Sequence, residues 1–236
     1  MMARLLTAFF FVLGVMTTIH AKVYVVCVGI ADYPGTQSDL RVSDNDARTI
    51  GKVFQAANNA EVHFLVNEGA KKNALLSTMR SAFANALPSD AVILYFSGHG
   101  IPGALICYDG KISYDRIIQV LKNCQASKKI VIADACYSGR MRTNKRHVPD
   151  SDSENVMFFL SSRTNETSQE THFQNSLFTI FLERGLRGGA DTNRDRSISA
   201  RELYGFVHKG VTDASDVCQH PVMWGNFDNE MTVISW

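Results

Sequence analysis

The sequence predicts an α/β domain with a mainly parallel central sheet and helices on both faces. Three observations lead there. Strand-like and helix-like segments alternate along most of the chain, the pattern that gives parallel strands joined by helical crossovers. Several strand-like segments are nearly continuous apolar runs, as strands covered on both faces require. Two motifs of small and reactive residues directly follow two of those runs, where open parallel sheets bind ligands.

The elements follow in order. Lys22 to Ile30 (KVYVVCVGI) is apolar and β-branched, a buried strand that includes Cys27 as a plain core residue. Ser43 to Ala57 carries Ala47, Ile50, Val53, Phe54 and Ala57 at helical spacing, with Ser43 as the expected cap and Asp46 in the acidic first turn. Glu61 to Val66 is a second strand, and Lys71 to Leu87 a second helix stopped by Pro88. Ala91 to Phe96 is the third strand, Ser113 to Leu121 the third helix, and Lys129 to Ala133 the fourth strand. Val156 to Leu160 is the fifth strand. Ser176 to Leu186 and Ala200 to Val211 read as later helices, and Met231 to Ile234 as a last short strand. Gly139 to Asn155 has no apolar periodicity and is long for a connection in a compact domain, a length often tied to function.

Bulk properties bound the function. With 236 residues, 45% hydrophobic and 20% charged, the chain has enough apolar material for one sizeable core. The formal charge of +1 gives no broad basic surface, so nucleic acid is not an expected partner. Arg4, the apolar run Leu5 to Val15 and Thr17-Thr18-Ile19-His20-Ala21 read as a secretory signal peptide over residues 1–21, cut after Ala21. The run is shorter than the roughly 20 apolar residues of a membrane span. The expected mature domain, residues 22–236, is exported to a periplasmic or extracellular place and leaves the membrane once the signal is removed. Five cysteines remain in it (Cys27, Cys107, Cys124, Cys136 and Cys218), an odd number that leaves one thiol unpaired within a single chain.

The chemistry concentrates at two strand ends. Ser97-Gly98-His99-Gly100 follows the third strand and Asp134-Ala135-Cys136 the fourth. If those strands are neighbours, both motifs open on one edge of the sheet. A thiol attacks an amide well only as a thiolate, and a histidine within hydrogen-bond reach can take its proton and return it to the leaving amine. Backbone N–H groups of Gly100 and Cys136 are placed to form an oxyanion hole. Taken alone, a cysteine or a glycine-flanked histidine is more often structural; a zinc site is the rival, but no second ligand stands at the short spacing such sites use.

The motifs YFSGHG (Tyr95 to Gly100) and DACYSG (Asp134 to Gly139) resemble those of caspase-like cysteine peptidases, above all the bacterial, metacaspase-type (orthocaspase) members. The resemblance extends through VYVVCVGIADY, LRVSDNDA, FLSSRTNETSQE, NSLFTIFLERGL and ADTNRDRSISARELYGFV. It implies a caspase-type three-layer fold, His99 as acid and base, Cys136 as nucleophile, and the Gly100 and Cys136 oxyanion hole. Animal caspases carry a QAC-type motif and arginines for an aspartate at P1, the residue before the cut. Here Asp134 replaces that glutamine. By resemblance Asp46 and Asp134 match two pocket acids, with Ser43 and Ser97 as further wall positions. Two carboxylates in a partly desolvated pocket favour a guanidinium or ammonium and reject an anion, so cleavage after Arg or Lys is expected. Structural turn or helix-end roles are the bland readings of both acids. Arg140, Arg142, Lys145 and Arg146 in the long loop then become candidate self-cleavage sites.

Asp191, Asn193, Asp195 and Glu202 occupy oxygen-ligand positions of an EF-hand-like loop. Arg196, however, stands where that loop needs glycine, so the segment reads first as a turn that caps the next helix, with calcium as the other reading. The thiol chemistry requires no cofactor. Peptides or proteins are the expected substrates, and the resemblance leans towards a monomer. Two other readings are a catalytically silent caspase-fold interaction module and an asparagine-specific relative, against which the two pocket acids argue.

Overall fold

A computed structural model describes residues 21–57, 59–135, 156–162 and 174–236. Residues 1–20 of the expected 1–21 signal segment, Cys136, the 139–155 loop with its four basic residues, and most of the FLSSRTNETSQE motif lie outside the described residues.

The main sheet has six strands. In chain order they are β1 (Val23–Gly29), β2 (Ala60–Val66), β3 (Ala91–Ser97), β7 (Lys128–Asp134), β8 (Val156–Leu160) and β10 (Val222–Asn226). Their spatial order is β10-β8-β7-β3-β1-β2. All neighbours pair parallel except β10, which runs antiparallel to β8 at the edge. The helices are α1 (Ser43–Gln55), α2 (Lys72–Phe83), α3 (Tyr114–Lys122), α4 (Leu177–Arg184) and α5 (Ala200–Ala214).

Side chains alternate strictly across the sheet. On one face Val26, Val28, Leu94, Phe96, Val131 and Phe158 pack with Leu75, Met79 and Ile117 of α2 and α3. On the other, Val25, Cys27, Ile93, Tyr95, Ile132 and Phe159 pack with Ile50, Phe54, Phe178 and Leu203 of α1, α4 and α5. Strands covered on both sides must be apolar at successive positions, which is why they read as continuous runs. Each large side chain so buried contributes roughly 1.5–3 kcal/mol. The mainly parallel sheet with helices on both faces expected from the sequence is the architecture observed.

Local differences have local causes. Ser43 does not cap α1: the N-cap is Val42, and Ser43 is the buried first residue of the helix, making no capping bond. α1 is pressed onto the end of β1. A Cβ on Gly29 would lie 2.3 Å from the Ser43 carbonyl oxygen and 2.7 Å from Ala47 Cβ, so only glycine admits the contact. The second helix ends at Phe83 rather than Leu87; Asp90 turns the chain instead by accepting from Leu87 N–H and Lys22 N–H at 2.8 Å each. Two small sheets were not expected: β4 (Gly100–Ile101), β5 (Ala104–Cys107) and β6 (Gly110–Ser113) form one, and β9 (Ser197–Ser199) with β11 (Thr232–Ser235) the other. Of their strands only β11 was expected, as the short strand over Met231 to Ile234; the other strands, of two to four residues, are too short for a period to register.

Candidate active site

β3 and β7 are direct neighbours, and Ser97 and Asp134 are register partners at their carboxyl ends. Gly98 N–H donates to the Asp134 carbonyl at 3.1 Å, so the ladder runs to the mouth of the sheet. His99 therefore leaves β3 beside the point where the chain leaves β7, two residues before Cys136.

The imidazole of His99 is half-buried and held from two sides. Its Nε2 lies 2.7 Å from the Ser38 carbonyl oxygen. A carbonyl only accepts, so Nε2 carries the proton and Nδ1 is left as the basic nitrogen of the neutral ring. The Tyr33 ring lies against the imidazole at 4.8 Å between centroids. His99 N–H donates to the Tyr33 hydroxyl oxygen at 2.9 Å.

Gly100 begins β4 opposite Leu105, and Ile106 N–H donates to the His99 carbonyl at 2.9 Å. This bond flanks a non-hydrogen-bonded pair, in which the N–H of Gly100 points away from β5. It is thus not used in the β4–β5 pairing.

Two carboxylates meet behind these turns. Asp46 comes from the first turn of α1 and Asp134 from the last residue of β7; both are buried. Asp46 Oδ2 accepts from Ser97 Oγ at 2.9 Å, and Oδ1 from Asn175 Nδ2 at 2.9 Å and Ser176 N–H at 3.0 Å. Asp134 Oδ2 accepts from the Ser176 hydroxyl and, at 3.5 Å, from Thr179 Oγ1. Thr179 Oγ1 in turn lies 2.6 Å from the Tyr95 hydroxyl. Since Thr179 gives its proton to the carboxylate, Tyr95 donates to Thr179. Burial, and next the Asp134 charge, push the Asp46 carboxyl up to about 7 against the pull of its three donors. Burial and the two carboxylates likewise raise Tyr95 well above the ordinary phenol range.

Of the residues singled out in the sequence, Ser97, Asp46 and Asp134 are brought together, with His99 and Gly100 on the adjoining turn. Ser43 is buried one turn before Asp46. Cys136, Arg140, Arg142, Lys145 and Arg146 lie outside the described residues. Sequence reasoning missed Ser176, Asn175, Thr179, Tyr95, Tyr33 and the Ser38 carbonyl. Only Ser176 left a trace, as a serine before an apolar helix; it caps α4 by accepting from Thr179 N–H at 3.1 Å.

The segment with Asp191, Asn193, Asp195 and Glu202 stands apart from this cluster. Asp191 accepts from the N–H groups of Arg194, Asp195 and Arg196 at 2.7–3.2 Å. Asp195 Oδ1 accepts from Ser197 N–H and Oγ, and Asn193 Oδ1 from Asp195 N–H. Glu202 Oε1 takes both donors of Thr192, and Oε2 both of Ser199, completing a capping box on α5. Arg196 adopts φ 66°, the left-handed value that glycine would take without cost. The loop's own donors engage these oxygens, and Glu202 caps α5. Among the described residues no group of three or more His, Cys, Asp or Glu could hold a metal ion. The described cysteines, Cys27, Cys107, Cys124 and Cys218, are free thiols.

A parallel sheet that delivers a histidine turn and, from the next strand, an aspartate turn to one edge defines a caspase-type α/β protein. Residues 22–230 match the caspase domain family of peptidases, and the chain belongs to that family. It is thereby a caspase-like cysteine peptidase by family, with peptides or proteins as its class of substrate. Among solved structures it is similar to caspase-1 from Spodoptera frugiperda, at 16% identity, 89% of this chain, 88% of that one and a TM-score of 0.70. It is similar too to protein GSU0716 from Geobacter sulfurreducens, at 16% identity, 88% of this chain, 94% of that one and a TM-score of 0.69. At such identity these likenesses speak for the fold. No curated protein sequence matches the chain. Among the described residues no helix is long and apolar enough to cross a membrane.

Proposed function

We propose that the chain is an exported, metacaspase-type cysteine endopeptidase that cuts after Arg or Lys with a Cys136–His99 dyad. The observation that carries the specificity is the buried pair of carboxylates, Asp46 and Asp134, bound through Ser97 and Ser176 behind the His99 turn. A guanidinium or ammonium placed between two carboxylates relieves their mutual repulsion, whereas an aspartate side chain would add to it.

His99 Nδ1 takes the proton of the Cys136 thiol, and the thiolate attacks the carbonyl carbon after the basic residue. The oxyanion that forms is met by the N–H groups of Gly100 and Cys136. His99 then gives its proton to the leaving amine as the C–N bond breaks. Water, deprotonated by Nδ1, hydrolyses the thioester and restores the thiol. No cofactor is required by any step. The mature protein acts as a monomer, and Arg140, Arg142, Lys145 and Arg146 supply basic sites for self-processing.

A fluorogenic peptide series that differs only at P1, run with and without calcium, tests the reading. Hydrolysis of the Arg and Lys members, absent in Cys136→Ala, is expected. Preference for Asp at P1 would overturn the specificity. Equal labelling of wild type and Cys136→Ala by a thiol-directed activity probe would overturn the nucleophile.

A further inference from the structure

The loop from Ala31 to Leu40 is pinned at both ends. Ala31 and Asp32 N–H donate to Asn67 Oδ1 at 2.9 and 3.2 Å, and Leu40 N–H to the Ala31 carbonyl at 2.8 Å. Inside it, Tyr33 N–H donates to Asp39 Oδ1 at 3.0 Å. The Tyr33 side chain turns inward and is 4% exposed. Its hydroxyl lies 3.0 Å from the Ile106 carbonyl oxygen on β5, which can only accept, so the phenolic proton goes there. The oxygen is then free to accept from His99 N–H at 2.9 Å, while the ring faces the imidazole. Gly98 leaves room for this arrangement: a Cβ there would lie 2.7 Å from the hydroxyl oxygen. Burial raises the phenol well above its ordinary range, against the pull of the His99 N–H, so it remains a donor throughout the neutral pH range.

We propose that Tyr33 is a positioning residue for His99, its hydroxyl locking the His99 amide to β5 and to the loop that presents the Ser38 carbonyl. One side chain thereby makes the strand turn, the hairpin and the loop a single unit. The imidazole is fixed at its backbone by Tyr33 and at Nε2 by Ser38, and Nδ1 can point only where those two contacts allow. A misplacement of about 1 Å in a reacting group can cost 100-fold in rate, so such a lock acts on turnover. This role rests on reading His99 as the acid and base, but not on which residue is preferred at P1.

Tyr33→Phe removes one oxygen and keeps the ring against His99. With the best substrate of the P1 series, kcat is expected to fall about tenfold or more while KM stays within twofold. The pH profile of Cys136 alkylation by iodoacetamide should shift in parallel. Asp39→Ala keeps the phenol but frees its loop at an exposed site; a smaller kcat loss with the same unchanged KM is expected. Tyr114→Phe, which deletes a buried hydroxyl with no hydrogen-bond partner among the described residues, should leave kcat as in wild type. Wild-type kcat and alkylation profile in Tyr33→Phe would overturn the proposal. If Tyr33→Phe does not fold, a wild-type kcat in Asp39→Ala would overturn it instead. A wild type that cleaves no peptide, with a Cys136 whose alkylation follows an ordinary thiol titration, would instead sink the dyad itself.

Discussion

Asp46 and Glu202 are both acids in the first turn of a helix, and both accept several hydrogen bonds, yet their environments drive them in opposite directions. Asp46 is buried beside a second carboxylate, and its proton is held up to about 7. Glu202 is half-buried and has no second carboxylate bound to the same donors; desolvation raises it, but the Ser199 and Thr192 donors together prevail and bring it down to about 2. Asp195 is likewise lowered, chiefly by the Ser197 hydroxyl. Donors to a carboxylate stabilise its charge wherever they occur, but burial and a like charge outweigh three of them. The capping loop therefore uses its acids to make structure. The buried pair Asp46 and Asp134 instead holds its charge at a cost, the kind of place where function is expected to reside.

The sharpest break in this comparison is Asp46→Asn. It removes one charge-assisted contact to a basic P1 side chain, worth about 1.5–3 kcal/mol, so kcat/KM for Arg substrates should fall about 10- to 100-fold. The corresponding Glu202→Gln should leave kcat/KM unchanged in the same assay. An unchanged value in Asp46→Asn would remove the acid from the pocket.

Stability against pH separates the two regions next. The folded Asp46 carboxyl titrates above its unfolded value of 3.8. Its contribution to stability is therefore fully present below about 3.8 and is lost as pH rises through about 7. Glu202 has the opposite sign: its contribution is present above 4.5 and is lost as pH falls through about 2. Denaturant midpoints between pH 4 and 8 should thus show a decline in wild type that is flattened in Asp46→Asn. The same variant should be more stable than wild type at pH 8 while being the less active enzyme. A parallel decline in both proteins would mean that the slope belongs to another group.

Ser199→Ala deletes the cap of α5 and one partner of Glu202. About 1 kcal/mol should be lost, a fall in Tm of roughly 2–4 °C, with kcat/KM as in wild type. The smallest effect is expected from Arg196→Gly. It relieves a left-handed non-glycine residue, worth about 1–2 kcal/mol, but also loosens the unfolded chain by about 0.4–1 kcal/mol. Tm should rise by a degree or two. Calorimetry on wild type at millimolar calcium should show no heat of binding, and a clear isotherm would reopen the loop as a cation site.

Much of the fold was legible along the chain. Val156–Leu160 is the strand its apolar run predicts, and α1 buries Ala47, Ile50, Val53 and Phe54, the stripe read from their spacing. Runs of five to fifteen residues carry a period, and burial on a strand or helix face writes that period into the sequence. The β4–β5–β6 hairpins and β10 were not legible, because strands of two to five residues with glycines carry little pattern. Ser43 misled for a related reason: a serine before an apolar stripe reads as a cap, and only the approach of α1 to Gly29 shows it to be buried and helical.

The sequence by itself determined the parallel sheet and the two strand-end motifs with His99 and Cys136, since each is a local pattern of residue types; Asp46 and Asp134 stood out only through the family resemblance. Only the tertiary structure decided that Ser97 and Asp134 are register partners, that Asp46 reaches Ser97 across 51 residues, and that Asn175 and Ser176 reach Asp46 across 129 and 130. It also decided that the Ser38 carbonyl selects the basic nitrogen of His99. A hydrogen bond depends on distance and direction in space, and a carbonyl is the same atom in every residue, so neither leaves a mark in a sequence.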